Sequence, residues 1–325
     1  MNYAPVIIPT LCRFEHFKIC IESLSNCTWA EYTEVYIGLD YPAKESHWDG
    51  YNQINDYLSL CGNLNFKKLH VIKRPYNYGF GAKGNLATLK NDILKISDRI
   101  IISEDDNIFS PNFLMYINKG LELYKDDMTV QQICGYSHPI NPYVNGNNSF
   151  RQNINYSAWG YGIWKHKDAE FSSLLNNKTF RKILYSPQLL WKVYKTGYHR
   201  LLNVIVASSQ DKYIPRTDYY LSILTLITGR TIIMPAKSMV RNMGWDETAT
   251  NTHIRNEKNR IRSTIELNRE IDVNDTFEFK GDNWFGFEEN NKKMILYGQE
   301  HSTVNLKFKI IAWGKYLIRF FQFWK

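Results

Sequence analysis

The chain has 325 residues, 44% of them apolar and 15% aromatic, enough for one large α/β domain or a domain with a small appendage. That composition excludes disordered, collagen-like and low-complexity chains, and a mean hydropathy of -0.42 without any long apolar run excludes an integral membrane protein. The net charge of +8 is concentrated in 304–325, which carries Lys307, Lys309, Lys315, Arg319 and Lys325 and no acid; the rest holds +8 − 5 = +3, so no broad nucleic-acid-binding surface is required.

Five cysteines (Cys12, Cys20, Cys27, Cys61, Cys134) are odd in number and form no CxxC pair, which reads as reduced thiols in a cytosolic chain. The first residues lack the basic start of a signal peptide. The Asn-x-Ser/Thr matches at Asn26, Asn155 and Asn177 read as chance in an Asn-rich chain.

In chain order, 4–8 is a short apolar strand ending at Pro9, and 14–24 has helical spacing. Glu34–Leu39 (EVYIGL) is β-rich and runs into Asp40; 51–60 is helical; 68–72 is a third strand. The turn-rich RPYNYGFG of 74–81 follows, then a helix over 83–96. The apolar strand 99–103 runs into Glu104-Asp105-Asp106. Strands alternating with helices predict a parallel sheet with helices on both faces. Ligands bind at the carboxyl ends of such strands, and Asp40, the acidic triplet and the Gly/Asn-rich 77–85 loop are all expected at that edge. Further on, 111–124 is a predicted helix and 129–136 a strand. Residues 157–164 are aromatic-rich, 180–206 and 219–227 have helical spacing, and 231–234 is a strand. A polar stretch at 254–270 suits an exposed helix or loop, and 271–303 carries weak signals.

Three consecutive carboxylates repel one another unless solvent or a cation neutralises them. A hard divalent ion, held by one or two carboxylates and a diphosphate, would do so. A solvated acidic turn that caps the next helix is the competing reading.

The run RIIISEDDNIFSPNFL (99–114) resembles the strand, acidic motif and helix of glycosyltransferases with the GT-A fold. It is closest to the E-D-D form of N-acetylglucosaminyltransferase I-like enzymes and of bacterial family 2-like transferases. PVIIPT with Arg13 is similar to their opening strand, and NYGFGAKGNL (77–86) to their donor loop. WGYGIW (159–164) resembles their W-G-x-x-x-W segment, and NMGW (242–245) with TAT (248–250) a late motif; the match spans roughly 4–253.

The resemblance implies a GT-A (Rossmann-like) α/β fold: a mixed, mostly parallel sheet flanked by helices, with a C-terminal amphipathic helical tail. It implies an inverting, metal-dependent transfer of sugar from a UDP-sugar, with Mn2+ or Mg2+. By the same resemblance Asp106 ligates the metal and Glu104 acts near the ribose or through a metal-bound water. Asp40 accepts from uracil, Arg13 and Lys83 lie near the nucleotide, and Thr10, Asn85 and Asp105 join the nucleotide-binding set. Asp218 matches the catalytic base, although Thr217 replaces the Glu that often precedes it. Related chains carry a His just after the A-T of the late motif; here Asn251 stands there and His253, two positions on, is the expected second metal ligand. Helix N-capping is the competing reading of Asp218, and core packing that of Trp159 and Trp164.

The expected organisation is a catalytic domain over 1–270 (nucleotide half 1–108, acceptor half 109–270) and a C-terminal extension over 271–325. On a helical wheel of the tail, Leu306, Ile310, Trp313, Leu317, Phe320, Phe321 and Trp324 share one arc, with bases opposite. A basic amphipathic helix with Trp and Phe reads as an interfacial membrane anchor. The expected partners are a nucleotide-sugar donor, a saccharide or lipid-linked saccharide acceptor and an anionic membrane surface, with no nucleic acid. The expected location is cytoplasmic, peripheral on the inner face of the plasma membrane, in polysaccharide or lipopolysaccharide synthesis. The alternatives are a sugar nucleotidyltransferase, whose Gly-rich phosphate loop 9–13 does not fit, and an inactive membrane- or sugar-binding module.

Overall fold

The computed structural model describes residues 2–60, 62, 64–196, 200–210, 217–246 and 257–301, with 310, 313, 314, 317, 318 and 321 of the tail. The nucleotide half alternates strands and helices: β1 (Val6–Thr10), α1 (Phe14–Ser25), β2 (Glu34–Leu39), α2 (Trp48–Leu60), β3 (Lys68–Lys73), α3 (Asn85–Ile96) and β4 (Arg99–Ile102). Next come β5 (Asn107–Phe109), α4 (Phe113–Leu123), β6 (Val130–Cys134), β7 (Ser149–Gln152) and β8 (Tyr161–Trp164). Four helices follow, α5 (Lys165–Leu174), α6 (Asn177–Leu184), α7 (Pro187–Lys195) and α8 (Arg200–Ser208). The order closes with α9 (Thr217–Thr228), β9 (Thr231–Pro235), β10 (Val240–Asn242), α10 (Glu257–Leu267) and α11 (Phe287–His301).

The expected mixed, mostly parallel α/β sheet is present. Eight strands are ordered β3-β2-β1-β4-β8-β6-β9-β7, and of these β8 and β7 run against the rest. β4 is buried at every position, the mark of a strand covered on both faces.

The first strand does not end at Pro9, as its proline predicts, but continues to Thr10. Ile7 accepts from Ser103 on the β4 side, whereas Thr10 accepts from Asp40 on the β2 side. The missing N–H of Pro9 therefore faces β4 beyond the last paired position, Ile7 with Ile102, and no ladder bond is lost. The aromatic stretch that gave no strand signal contains β8, wedged antiparallel between β4 and β6. Two glycines let it pack closely: a Cβ at Gly162 would lie 2.6 Å from Ile117, and one at Gly160, with φ at +68°, 3.0 Å from Phe113.

Two apolar cores result. The main one lies on the sheet, under α1, α3 and α4. The second gathers Phe180, Ile183, Leu190, Ile205, Ile223 and Met294 from α6–α9 and α11. The weakly patterned region after 270 packs onto the body. Phe277 is 6% exposed within the main core, and Ser110 Oγ donates to the Asp272 carbonyl. Of the four described cysteines, Cys20, Cys27 and Cys134 are buried, and none of the four is disulfide-bonded. Burial pushes the Cys27 and Cys134 thiols up to about 12, as inert core thiols require. Among the described residues no helix is long and apolar enough to cross a membrane.

Candidate active site

β1, β2, β3 and β4 are parallel, so Thr10, Asp40, Arg74 and Ser103-Glu104 come out along one sheet edge. The acidic triplet has a distinct division of labour. Asp105 accepts from Thr10 Oγ1 (2.8 Å) and from Arg13 (2.8 Å), at the start of α1. Asp106 accepts from the same Arg13 nitrogen (2.5 Å) and from Asn242 Nδ2 (2.5 Å). Asn242 is delivered by a second, two-stranded sheet in which β10 pairs antiparallel with β5, setting Asn242 opposite Asn107. The Met243 amide then donates to the Asp106 carbonyl at 2.7 Å. Gly244 passes so near that a Cβ there would lie 2.1 Å from Asp106 Oδ2.

Glu104 differs from both. It is half-buried, and its carboxylate makes no hydrogen bond recorded among the described residues, while its carbonyl accepts from Ser103 Oγ at 2.8 Å. Burial, followed by the charges of Asp106, Asp218 and Asp105, pushes its carboxyl well above the usual range. Burial also raises Asp106, although Arg13 pulls it the other way. For Arg13 burial opposes the charge, but Asp105 and Asp106 outweigh it and hold the guanidinium pKa above its ordinary value. One guanidinium thus stands against a cluster of acids, an excess of negative charge in a low-dielectric corner.

Asp218 is exposed in the first turn of α9 and acts electrostatically on Glu104, so the fold brings these two distant acids to one locality. Asp40, Asn85 and Lys83 fall into three different situations. Asp40 is 5% exposed and its two oxygens receive the amides of Tyr41, Tyr78 and Gly79 and the Asn77 side chain. Those four donors fill its acceptor capacity. Its visible work is to clamp the 77–79 turn, where Gly79 has φ at +58°. Asn85 is a strut: it donates to the Gly38 carbonyl (2.6 Å) and accepts from Arg74 (2.9 Å). Lys83 is exposed, and its ammonium makes no ion pair among the described residues.

Trp164 is 2% exposed, donates to the Leu121 carbonyl at 2.9 Å and carries the Lys167 ammonium on its face at 3.7 Å, so it is core. Trp159 remains half-buried, edge-on to Tyr136 (4.6 Å) and to Trp245 (6.2 Å). His253 lies outside the described residues.

Asn242, Gly244 and His16 were not expected as site residues. His16 pairs with Asp246 at 2.9 Å and reaches the Met243 carbonyl, tying α1 to the strand-end segment that embraces Asp106. The late NMGW motif was the available signal for the first two. Nothing in the sequence marks His16 beyond its place one turn after Arg13.

Among the described residues no group of three or more His, Cys, Asp or Glu stands ready to hold a metal. The donor set still suits a hard cation. Glu104 and Asp106 offer carboxylate oxygens at one strand end, those of Glu104 without a hydrogen-bond donor among the described residues, and such ions are commonly held by one or two carboxylates with phosphate and water completing the shell.

No family model matches the chain, and no curated protein matches it. Solved structures do. The mannosyltransferase PcManGT from Pyrobaculum calidifontis, in complex with GDP-Man and Mn2+, is 11% identical, with 69% of this chain and 68% of that chain covered at a TM-score of 0.39. S. aureus TarS 1-349 is 12% identical over 97% of this chain and 80% of that one, TM-score 0.44. The same protein with UDP-GlcNAc is 13% identical over 97% and 81%, TM-score 0.44. Likenesses at this level transfer neither site residues nor activity.

Proposed function

We propose that this chain is an inverting glycosyltransferase of GT-A type that moves a sugar from a UDP-sugar to a saccharide acceptor. The observation that carries the reading is the meeting, at one edge of the parallel strands, of Glu104-Asp105-Asp106 with Arg13 and Thr10. Asp106 and Glu104 would hold a divalent cation, Mn2+ or Mg2+, with the donor's phosphates as further ligands. Bound there, it would supply Lewis-acid stabilisation of the departing diphosphate, an effect of several kcal/mol.

The chain's own residues supply the rest. Arg13, locked on Asp105 and Asp106, orients both carboxylates. The 77–84 turn, pinned by Asp40, presents a pre-shaped wall to the nucleotide, with Lys83 free to reach phosphate. Asp218 takes the proton from the attacking hydroxyl, worth about 10²–10⁴ in rate. Trp159 offers a ring on which a sugar face stacks. The basic tail would hold the enzyme on an anionic membrane at the cytoplasmic face, beside a lipid-linked acceptor of a cell-surface polysaccharide.

A panel of nucleotide sugars assayed for UDP release with Mn2+ and with chelator tests the reading. Metal-dependent release from one UDP-sugar is the expected outcome. Pyrophosphate release from UTP and a sugar phosphate would point instead to a nucleotidyltransferase, and silence across the panel to a binding module.

A further inference from the structure

From 171 to 210 the sequence carries Lys178, Arg181, Lys182, Lys192, Lys195 and Arg200 and no Asp or Glu. α6 and α7 lie in this stretch and bury Phe180, Ile183, Leu190 and Val193 in the second core, which dictates the sides that face out. Every basic side chain of these two helices is exposed. So are two aromatics one turn apart on α7, Trp191 at 54% and Tyr194 at 37%. Their rings stack at 5.1 Å, and the Lys195 ammonium sits 5.5 Å from the Trp191 ring. α7 is itself well fixed: Ser186 caps it by accepting from the Leu189 amide, and Pro187 opens its first turn.

The second acid-free basic segment meets the first here. Trp313 of the tail packs edge-on against Tyr194, with centroids 5.3 Å apart. Beyond it Ile310, Leu317, Ile318 and Phe321 are 48–64% exposed. Bases interleaved with outward aromatic and aliphatic groups match a lipid headgroup layer, where rings sit at the interface and ammonium groups meet anionic phosphates. A soluble polyanion would draw on the charges alone and leave the apolar side chains in water.

We propose that α7, together with the tail residues Ile310, Trp313, Leu317, Ile318 and Phe321, forms a docking surface for an anionic lipid bilayer, with Trp191 and Tyr194 entering the headgroup region and Lys192 and Lys195 contacting its phosphates. This rests on the membrane reading of the tail and adds a rigid second element to it. It requires nothing of the sugar-transfer reading. A contact from α7 beside that of the tail also fixes how the enzyme faces the membrane, which one contact alone does not.

The test is sedimentation of the purified full-length chain with phosphatidylcholine vesicles, with and without about a third phosphatidylglycerol. Wild type is expected to bind the anionic vesicles and not the neutral ones. Trp191→Ser with Tyr194→Ser, folded by circular dichroism, is expected to bind at least about tenfold more weakly, and Lys192→Glu with Lys195→Glu likewise. Lys307→Glu, Lys309→Glu and Lys315→Glu together test the tail separately. If the aromatic pair variant binds as wild type while the tail variant fails, α7 has no part and the tail reading stands. If the tail variant binds as wild type while the α7 variants fail, the tail reading falls and with it the joint surface. Loss on charge reversal with full binding by the aromatic variant would mark a general polyanion surface, and absent wild-type binding would end both readings.

Discussion

Asp106 is held by Arg13, Asn242 and the wall made by Gly244, so its geometry depends on a residue that has no side chain at all. Gly244→Ala is expected to displace the carboxylate and lower turnover about 10²-fold, since misplacement by an ångström is enough. A Tm close to wild type would show that the loss is positional. Asp106→Ala should abolish metal-dependent transfer with the fold intact, read by UDP release alongside circular dichroism. Asp218→Asn should lower kcat by about 10²–10⁴ with the donor Kd unchanged in calorimetry. Wild-type turnover in that variant would remove Asp218 as the base and turn attention to Asp246 and Glu247. Only part of this was legible in the sequence. The triplet declares itself because charge repulsion makes three adjacent acids rare. The clamp on Asp40 does not, because amide donors leave no mark in the residue string.

At the scale of elements, the edge strand β3 is secured to β2 by polar pairs on one face. Glu34 accepts from Lys67 at 2.9 Å and contacts His70 at 3.1 Å, while Tyr36 stacks on His70 at 4.1 Å. The Lys67 hydrogen bond, helped by His70 and Tyr36 against the cost of burial, holds the Glu34 carboxyl down at about 2, below its ordinary 4.5. A depressed carboxylate stabilises the fold above its unfolded pKa and loses that stabilisation as pH falls through the folded one. Glu34→Gln should therefore cost up to about 1 kcal/mol at neutral pH, shrinking to nothing between pH 4.5 and about 2; urea titrations across that window check it. A cost independent of pH would mean that shape, not charge, matters there. The periodicities of α1, α2 and α3 and the apolar runs of β2 and β4 were readable because each buries one face or both. β8 was not, because Gly162 and the preceding Gly160 carry no apolar pattern and its place is set by close approach to α4.

At the scale of the molecule, the described residues 271–301 contribute contacts to the body of the fold. Phe277 packs edge-on to Tyr116 (4.8 Å) and to Phe279 (5.0 Å), and Asn283 accepts from Arg151 at 2.8 Å. Phe277→Ala should cost about 3–5 kcal/mol of global stability in urea denaturation. An unchanged midpoint would mean that the segment peels off freely. The tail beyond 301 lies largely outside the described residues, and deleting 304–325 should move the protein from the membrane to the soluble fraction of a lysate.

The sequence alone determined the alternation of strands and helices, hence the parallel sheet and the edge on which its ligand groups emerge. Period and apolar burial are local properties, written within ten residues of each other. It also marked the acids, because their repulsion is local too. Tertiary structure alone decided which partners those acids keep. Asn242 reaches Asp106 across 136 positions only because β10 pairs with β5, and Asp218, 114 positions from Glu104, influences it only through the tertiary fold. Such pairings follow from how whole elements close on one another, and no local pattern encodes the free energy of that closure.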